Sequence, residues 1–137
     1  MTQSGERTMK CLIVEDDTHI QTMLKTLLTI YDWQCDCVLN GIGAIDAFAH
    51  ASKNKEPYDV IFMDIMMPFM DGMEALKQIR EIENELGIEE EVKIIMLTAL
   101  NDPDTVFNAY YQGGASAYIP KPFDQEDIIQ ELKKFGF

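Results

Sequence analysis

An unbroken apolar run ends in a carboxylate near the middle of the chain. The run 60–63 (Val-Ile-Phe-Met) leads directly into Asp64, and a loop containing Pro68 and Gly72 follows. A continuous apolar run of this length is typical of a strand that is buried on both faces of a sheet. Ligand crevices in α/β sheets open at the carboxyl ends of the strands, so Asp64 is predicted to occupy a chemical site.

Strand-like and helix-like segments alternate five times with short connections. Apolar segments predict strands over 11–14, 58–63, 92–97 and 115–119, and alternating apolar and polar residues predict another over 34–39. Apolar residues at helical spacing predict helices over 18–32, 42–52, 75–86, 101–113 and 124–135. This alternation is typical of a parallel sheet with helices on both faces. We therefore predict a doubly wound α/β fold.

Size and targeting signals indicate one domain. The chain has 137 residues, of which 47% are hydrophobic, which is enough to build a core without stabilising disulfides or metal ions. No apolar run reaches the roughly 18 residues that a membrane span needs. The first residues lack the apolar segment of a secretory signal. We expect residues 1–8 to form a flexible leader and residues 9–137 to form the domain.

The charge balance excludes some partners. The chain carries 24 acidic and 11 basic residues, for a net charge of −13. Such a field repels nucleic acid and anionic membranes, so neither is an expected partner. Part of the acidity lies in one stretch that is predicted to be solvated, formed by Glu81, Glu83, Glu85, Glu89, Glu90 and Glu91.

The three cysteines do not suggest a disulfide framework. Cys11 lies in an apolar run, and Cys35 and Cys37 are strand neighbours on one face. We expect buried thiols in a reducing, cytoplasmic setting. A thiol–histidine metal site is not indicated, because His19 and His50 lie in unrelated contexts.

Polar side chains follow four of the five predicted strands. They are Glu15, Asp16 and Asp17 after the first strand, Asp64 after the third, Thr98 after the fourth and Lys121 after the fifth. Taken singly, each has an ordinary explanation as a turn former, a helix cap or a surface charge. Together they are predicted to converge, because the ends of parallel strands lie along one edge. Crowded carboxylates suit Mg²⁺, and a hydroxyl and a lysine beside it would clamp a phosphoryl group.

These motifs resemble those of the receiver domains of two-component response regulators, over about residues 9–135. The matching motifs are Ile13-Val14-Glu15-Asp16-Asp17, Asp64-Ile65-Met66-Met67-Pro68 with Gly72, Leu97-Thr98-Ala99 and Lys121-Pro122-Phe123. The resemblance implies a flavodoxin-like (βα)5 fold with a five-stranded parallel sheet in the order 2-1-3-4-5. It also implies a phosphorylation-dependent switch in a two-component phosphorelay.

The resemblance implies a phospho-acceptor role for Asp64, with a histidine kinase or a histidine phosphotransfer protein as the donor. Asp16 would ligate Mg²⁺ directly together with Asp64, with Glu15 beside it and the backbone carbonyl of Met66 as a further ligand. Such a domain assists its own phosphorylation and dephosphorylation and is not an enzyme acting on other molecules.

The resemblance also implies how the site responds. Thr98 would hydrogen-bond the phosphoryl group, and Lys121 would pair with its oxygen. The Lys121–Pro122 bond is cis in this family. Tyr118 would be the switch aromatic, which turns inward when Thr98 moves toward the phosphoryl group.

Two positions next to the motifs are apolar in this chain. Met66 and Leu100 stand two residues beyond Asp64 and Thr98. We predict that both hinder an attacking water and slow dephosphorylation.

Two other classes share parts of this pattern. Aspartyl-phosphate phosphatases also use an aspartate nucleophile at a strand end, but they need a second aspartate two residues later, where this chain has Met66. Flavodoxin-like FMN binders need a phosphate-binding loop after the first strand. Glu15, Asp16 and Asp17 would repel that phosphate, so both alternatives are remote.

The output of the domain stays open. A stand-alone receiver that docks on a downstream protein is favoured by the leader; the alternative is a fragment of a longer DNA-binding or enzymatic regulator. The expected docking surface comprises the helix predicted over 101–113, the fifth strand and the last helix. It centres on Tyr110, Tyr111 and Tyr118, which could equally lie at the core edge or in a dimer contact.

Overall fold

The computed structural model describes residues 8–99 and 114–137, and these contain five strands and four helices. The strands are β1 (Lys10–Val14), β2 (Gln34–Val38), β3 (Val60–Asp64), β4 (Lys93–Thr98) and β5 (Ala117–Pro120). The helices are α1 (Thr18–Ile30), α2 (Gly41–Lys53), α3 (Gly72–Glu85) and α4 (Gln125–Lys134). The helix predicted over 101–113, Leu100, Tyr110, Tyr111 and most of the leader lie outside the described residues.

All strands are parallel and form one sheet in the order β2-β1-β3-β4-β5. The predicted doubly wound fold and its strand order are confirmed. In the register, Val14 lies beside Met63, and Asp64 lies beside Leu97. The strands therefore end at nearly the same level, which brings the polar residues that follow them to one edge.

The continuous apolar strands contribute side chains to two separate cores, because successive side chains point to opposite faces of the sheet. One face packs against α2 and α3 through strand residues Leu12, Val14, Ile61, Met63, Ile94 and Met96. The other face packs against α1 and α4 through strand residues Cys11, Ile13, Val60, Phe62, Ile95 and Leu97. A strand buried on both faces cannot shift easily, so the positions of its terminal residues are well defined.

Each described helix begins at a side chain that accepts hydrogen bonds from backbone N–H groups. The capping residues are Asp17, Asn40, Asp71 and Asp124. Each cap satisfies N–H groups that have no partner within the helix. None of the helices α1–α4 has the length and apolar character needed to cross a membrane.

The acidic stretch is not uniformly solvated, and the prediction was wrong for Glu83. Its side chain is buried, with Oε1 accepting from Arg80 Nη1 at 2.7 Å and Oε2 accepting from Val92 N at 2.7 Å. Arg80 also donates from Nε to the carbonyl of Gly114 at 3.0 Å. A buried carboxylate is tolerated here because its partners satisfy it.

The prediction of buried thiols holds only in part. Cys11 is fully buried, Cys35 is half-buried and Cys37 is exposed. The difference follows from strand position: β1 lies inside the sheet, whereas β2 is its edge.

Candidate functional site

The side chain of Lys121 joins two carboxylates at the carboxyl edge of the sheet. Its Nζ lies 2.7 Å from Oε1 of Glu15 and 3.3 Å from Oδ2 of Asp64. Glu15 follows β1, Asp64 ends β3, and Lys121 follows β5. Three groups that are remote in sequence therefore form one charge cluster, in which both carboxylates are buried and Lys121 is partly exposed, as the strand-end pattern predicts.

Glu15 is held on several sides. It is fully buried, and its Oε2 accepts from the backbone N–H of Asp17 at 3.2 Å. Its backbone carbonyl accepts from the side-chain amide of Gln21. Burial raises the pKa of Glu15 to about 7, the hydrogen bond from Lys121 opposes this rise, and the charge of Asp64 adds to it. Glu15 is thus a carboxyl group that is held in place by hydrogen bonds, and its charge depends on the neighbouring Lys121 and Asp64.

Lys121 is fixed by both its side chain and its backbone. Burial alone would lower the pKa of Lys121, but the hydrogen bond to Glu15 and the charge of Asp64 outweigh burial, so the pKa rises. Its backbone N–H donates to the carbonyl of Thr98 at 2.7 Å. The Lys121–Pro122 peptide bond is cis, as the family resemblance implies. Lys121 therefore presents a fixed positive charge to the site.

Asp64 and Thr98 lie at the bottom of the site. Asp64 is buried, and its Oδ1 accepts from the backbone N–H of Met66 at 3.3 Å. Thr98 is the last residue of β4 and is also buried. Since β3 and β4 are paired up to Asp64 and Leu97, the carboxylate and the threonine lie at neighbouring strand ends.

The carboxylates suit a hard divalent cation. Glu15, Asp16 and Asp64 each offer an oxygen, and these oxygens all lie within 4.8 Å of one another. Asp16 is exposed, whereas the other two are buried, so the cluster opens toward solvent through Asp16. A set of oxygen donors alone fits Mg²⁺, which keeps several waters when bound to proteins.

Two further residues predicted to belong to the site are Met66 and Tyr118. The side chain of Met66 is 63% exposed at the start of the loop after Asp64. Tyr118 is half-buried and packs against the core on the α2 and α3 side of the sheet. Along the chain, Met66 lies two residues after Asp64 and Tyr118 lies three residues before Lys121.

The contacts made by Gln21 and by two backbone N–H groups were not predicted from the sequence. Gln21 binds the carbonyl of Glu15, and the N–H groups of Asp17 and Met66 bind the two buried carboxylates. The only sequence signal for Gln21 is its place one turn after the cap of α1. Backbone donors carry no side-chain signature, so only the folded geometry shows them.

Comparison with known proteins identifies a family for the chain. Residues 11–133 match the family model described as the response regulator receiver domain. The chain is 34% identical over 125 residues to a transcriptional regulatory protein, the CpxR homolog of Haemophilus influenzae. The match covers 90% of this chain but 48% of that relative, so the chain spans about half its length.

Two solved structures are similar in fold and sequence. One is the receiver domain of the response regulator Ssk1 of Saccharomyces cerevisiae with the phosphotransfer protein Ypd1, at a TM-score of 0.82 and 27% identity, covering 94% of this chain and 89% of that one. The other is the CheX–CheY complex of Borrelia burgdorferi with BeF3 and Mg²⁺, at a TM-score of 0.82 and 25% identity, covering 94% and 90%. The matched family model spans most of the chain, and the chain belongs to the response-regulator receiver domains, the phosphorelay switches of two-component signalling.

Proposed function

We propose that Asp64 accepts a phosphoryl group from the phosphohistidine of a histidine kinase or a histidine phosphotransfer protein. The observation that carries this proposal is the position of Lys121 Nζ, within 3.3 Å of Asp64 and 2.7 Å of Glu15. A fixed cation beside a buried carboxylate is what a phospho-acceptor needs, because the transferring group brings negative charge into an acidic site.

The transfer uses the carboxylate of Asp64 as the nucleophile. Its oxygen forms a bond to phosphorus while the phosphorus–nitrogen bond of the phosphohistidine breaks, and the leaving imidazole takes a proton from solvent. Lys121 offsets charge on one phosphoryl oxygen, and the hydroxyl of Thr98 donates to another. The backbone N–H of Met66 holds the carboxyl group in place throughout.

Asp16, Asp64, Glu15 and the backbone carbonyl of Met66 are the proposed groups around Mg²⁺. When bound, Mg²⁺ supplies positive charge that offsets the developing charge on the phosphoryl oxygens. Glu15 and Asp64 remain on the protein side of the site, where burial limits their contact with water. Asp16 is the exposed member, so it faces the side from which a cation can enter.

The switch couples this chemistry to the surface around β5. Thr98 moves toward the phosphoryl group, and Tyr118 turns inward into the space that Thr98 leaves. The new charge thereby shifts the equilibrium between two arrangements of one surface, which is formed by the predicted helix 101–113, β5 and α4. That surface binds either a downstream protein, an output domain of a longer regulator, or a second copy.

The domain itself comprises residues 9–137, preceded by the leader 1–8, and works in the cytoplasm.

Intact-protein mass spectrometry after incubation with acetyl phosphate tests the proposal. We expect one phosphoryl adduct in the presence of Mg²⁺ and none in EDTA. Asp64→Asn removes the acceptor and is expected to abolish the adduct. Asp71→Asn is the matched control: Asp71 lies in the same loop but caps α3, and asparagine caps as well as aspartate.

Two outcomes would overturn the proposal. One is an adduct that persists in Asp64→Asn, which would place the acceptor elsewhere. The other is a folded wild-type protein that binds Mg²⁺ and still takes up no phosphoryl group from acetyl phosphate or from a phosphorylated phosphotransfer protein. Either result would leave the cluster as a structural ion pair only.

A further inference from the structure

Two cysteine side chains lie directly opposite each other on neighbouring strands. Cys11 of β1 pairs in register with Cys35 of β2. Paired residues of parallel strands point to the same face, and Cys35 packs against the apolar cluster that contains Cys11. Adjacent strands are about 4.8 Å apart, which lies within the Cα separation that a disulfide accepts.

The two thiols interact but differ in character. Burial raises the pKa of Cys11, and the thiol of Cys35 raises it further. The interaction with Cys11 lowers the pKa of Cys35, and the nearby charge of Lys25 acts in the same direction. Cys35 is also half-exposed, whereas solvent does not reach Cys11. Cys35 is thus the more accessible thiol and the one whose pKa is lowered, as expected of an attacking group, whereas the buried Cys11 suits the role of a resolving thiol.

The third cysteine is not placed to join the pair. Cys37 is exposed and lies opposite Ile13 in the register, so it has no thiol across from it. Cys35 and Cys37 lie two positions apart along an extended strand, so their Cα atoms are about 6.6 Å apart, near the upper limit for a disulfide.

We propose that Cys11 and Cys35 form a redox-active pair, which peroxide converts to a disulfide across β1 and β2. In the first step the Cys35 sulfur attacks one oxygen of hydrogen peroxide, the oxygen–oxygen bond breaks, and Cys35 becomes a sulfenic acid as hydroxide leaves. In the second step the Cys11 sulfur attacks the Cys35 sulfur. The sulfur–oxygen bond breaks, and water leaves with the proton of Cys11. The two thiols are oxidised, and one peroxide is reduced to two waters.

The proposed link ties the edge strand of the sheet to the strand that leads into the phosphorylation site. Val14 ends β1, and Glu15 follows it, with its N–H donating to the carbonyl of Val38 at the end of β2 at 3.1 Å. A disulfide at Cys11 and Cys35 would hold the other end of the same strand pair. Reduction by a dithiol reverses the link, as expected of a regulatory disulfide in a reducing compartment.

Peptide mapping of the full chain tests the pair without any variant. The reduced protein is treated with hydrogen peroxide, alkylated and digested. We expect a cross-linked peptide joining Cys11 to Cys35, an intact mass lower by two hydrogen atoms, and full reversal by dithiothreitol. A link between Cys35 and Cys37, or between two chains through Cys37, would overturn the assignment.

Single substitutions separate the two roles. Cys11→Ala removes the resolving thiol, so Cys35 should remain a sulfenic acid that dimedone traps. The dimedone adduct is the better readout, because the nine methionines of the chain can also take up oxygen. Cys37→Ala is the matched control and should form the link as the wild type does. A folded Cys11→Ala protein whose dimedone adduct maps to Cys37 rather than Cys35 would contradict the proposal.

Discussion

The backbone of Asp64 leaves no room for a side chain at Gly72. A Cβ built on Gly72 would lie 2.2 Å from the carbonyl oxygen of Asp64, and the N–H of Gly72 donates to the carbonyl of Ile65 at 2.8 Å. The first turn of α3 therefore rests directly on the end of β3. This close approach fixes the backbone of Asp64 against the start of α3.

Gly72→Ala is expected to destabilise the domain by roughly 3 kcal/mol, because the start of α3 must move away from β3. The movement should also slow phosphorylation of Asp64 by acetyl phosphate. Urea unfolding and adduct formation measure the two effects. Gly87→Ala is the control: open space surrounds Gly87, and only its φ of +68° opposes alanine, at a cost of about 1 kcal/mol. Equal losses in the two variants would count against the contact.

Met66 is expected to control how long the phosphoryl group stays on Asp64. Its side chain is 63% exposed in the loop that follows Asp64, where we expect it to hinder water from attacking the proposed acyl phosphate. Met66→Asn replaces it with a smaller polar group that can orient water, so we expect dephosphorylation about tenfold faster, a change of about 1.4 kcal/mol in the barrier. Phosphoryl loss after removal of the donor measures the rate.

Phe69→Asn is the control for Met66. Phe69 lies in the same loop, is 88% exposed and has a φ of 69°. Asparagine tolerates this conformation, so the substitution should leave the loop intact and the dephosphorylation rate unchanged. A Met66→Asn protein that loses phosphate at the wild-type rate would contradict the prediction.

Glu83 is expected to matter for stability although it takes no part in the proposed phosphorylation site. Glu83→Ala leaves Arg80 Nη1 without its carboxylate and the N–H of Val92 without an acceptor, so we expect a loss of about 3–5 kcal/mol. Glu81→Ala, at an exposed position of the same helix, should change stability by less than about 0.5 kcal/mol. Urea unfolding of both variants tests this, and similar small effects would mean that the network adds nothing.

The hydroxyl of Tyr58 is expected to make stability depend on alkaline pH. It donates to Oδ2 of Asp36 at 2.7 Å, and burial, followed by this bond, raises the pKa of Tyr58. Above pH ~10 the unfolded chain loses the phenolic proton while the folded chain keeps it, so the free energy of unfolding falls as pH rises.

Tyr58→Phe should cost about 1 kcal/mol near pH 7. Above pH ~10 its unfolding free energy should fall less steeply than that of the wild type, by up to about 1.4 kcal/mol per pH unit. Unfolding at a series of pH values measures the slope. Tyr31→Phe removes a hydroxyl from a side chain that is 58% exposed and should be neutral near pH 7. If the unfolding free energies of the wild type and Tyr58→Phe change in parallel with pH, the hydroxyl of Tyr58 does not cause the loss of stability at alkaline pH.

The convergence of Glu15, Asp64 and Lys121 could be predicted because a parallel sheet places all strand ends on one edge. The same logic could not find the burial of Glu83, since its local sequence is a run of solvated acids and its partners come from outside that run. Nor could it find the exposure of Cys37, which depends on β2 being the edge strand. Periodicity reports which residues share a face, whereas burial depends on what covers that face.

The hydrogen bond from Lys121 N to the carbonyl of Thr98 makes a mechanical unit of the two residues proposed to hold the phosphoryl group. Neither can shift toward Asp64 without pulling on the backbone of the other. This bond links the end of β4 to the segment that leaves β5 and enters α4. We therefore expect a displacement at the end of β4 to reach the surface through the main chain as well as through the side chains.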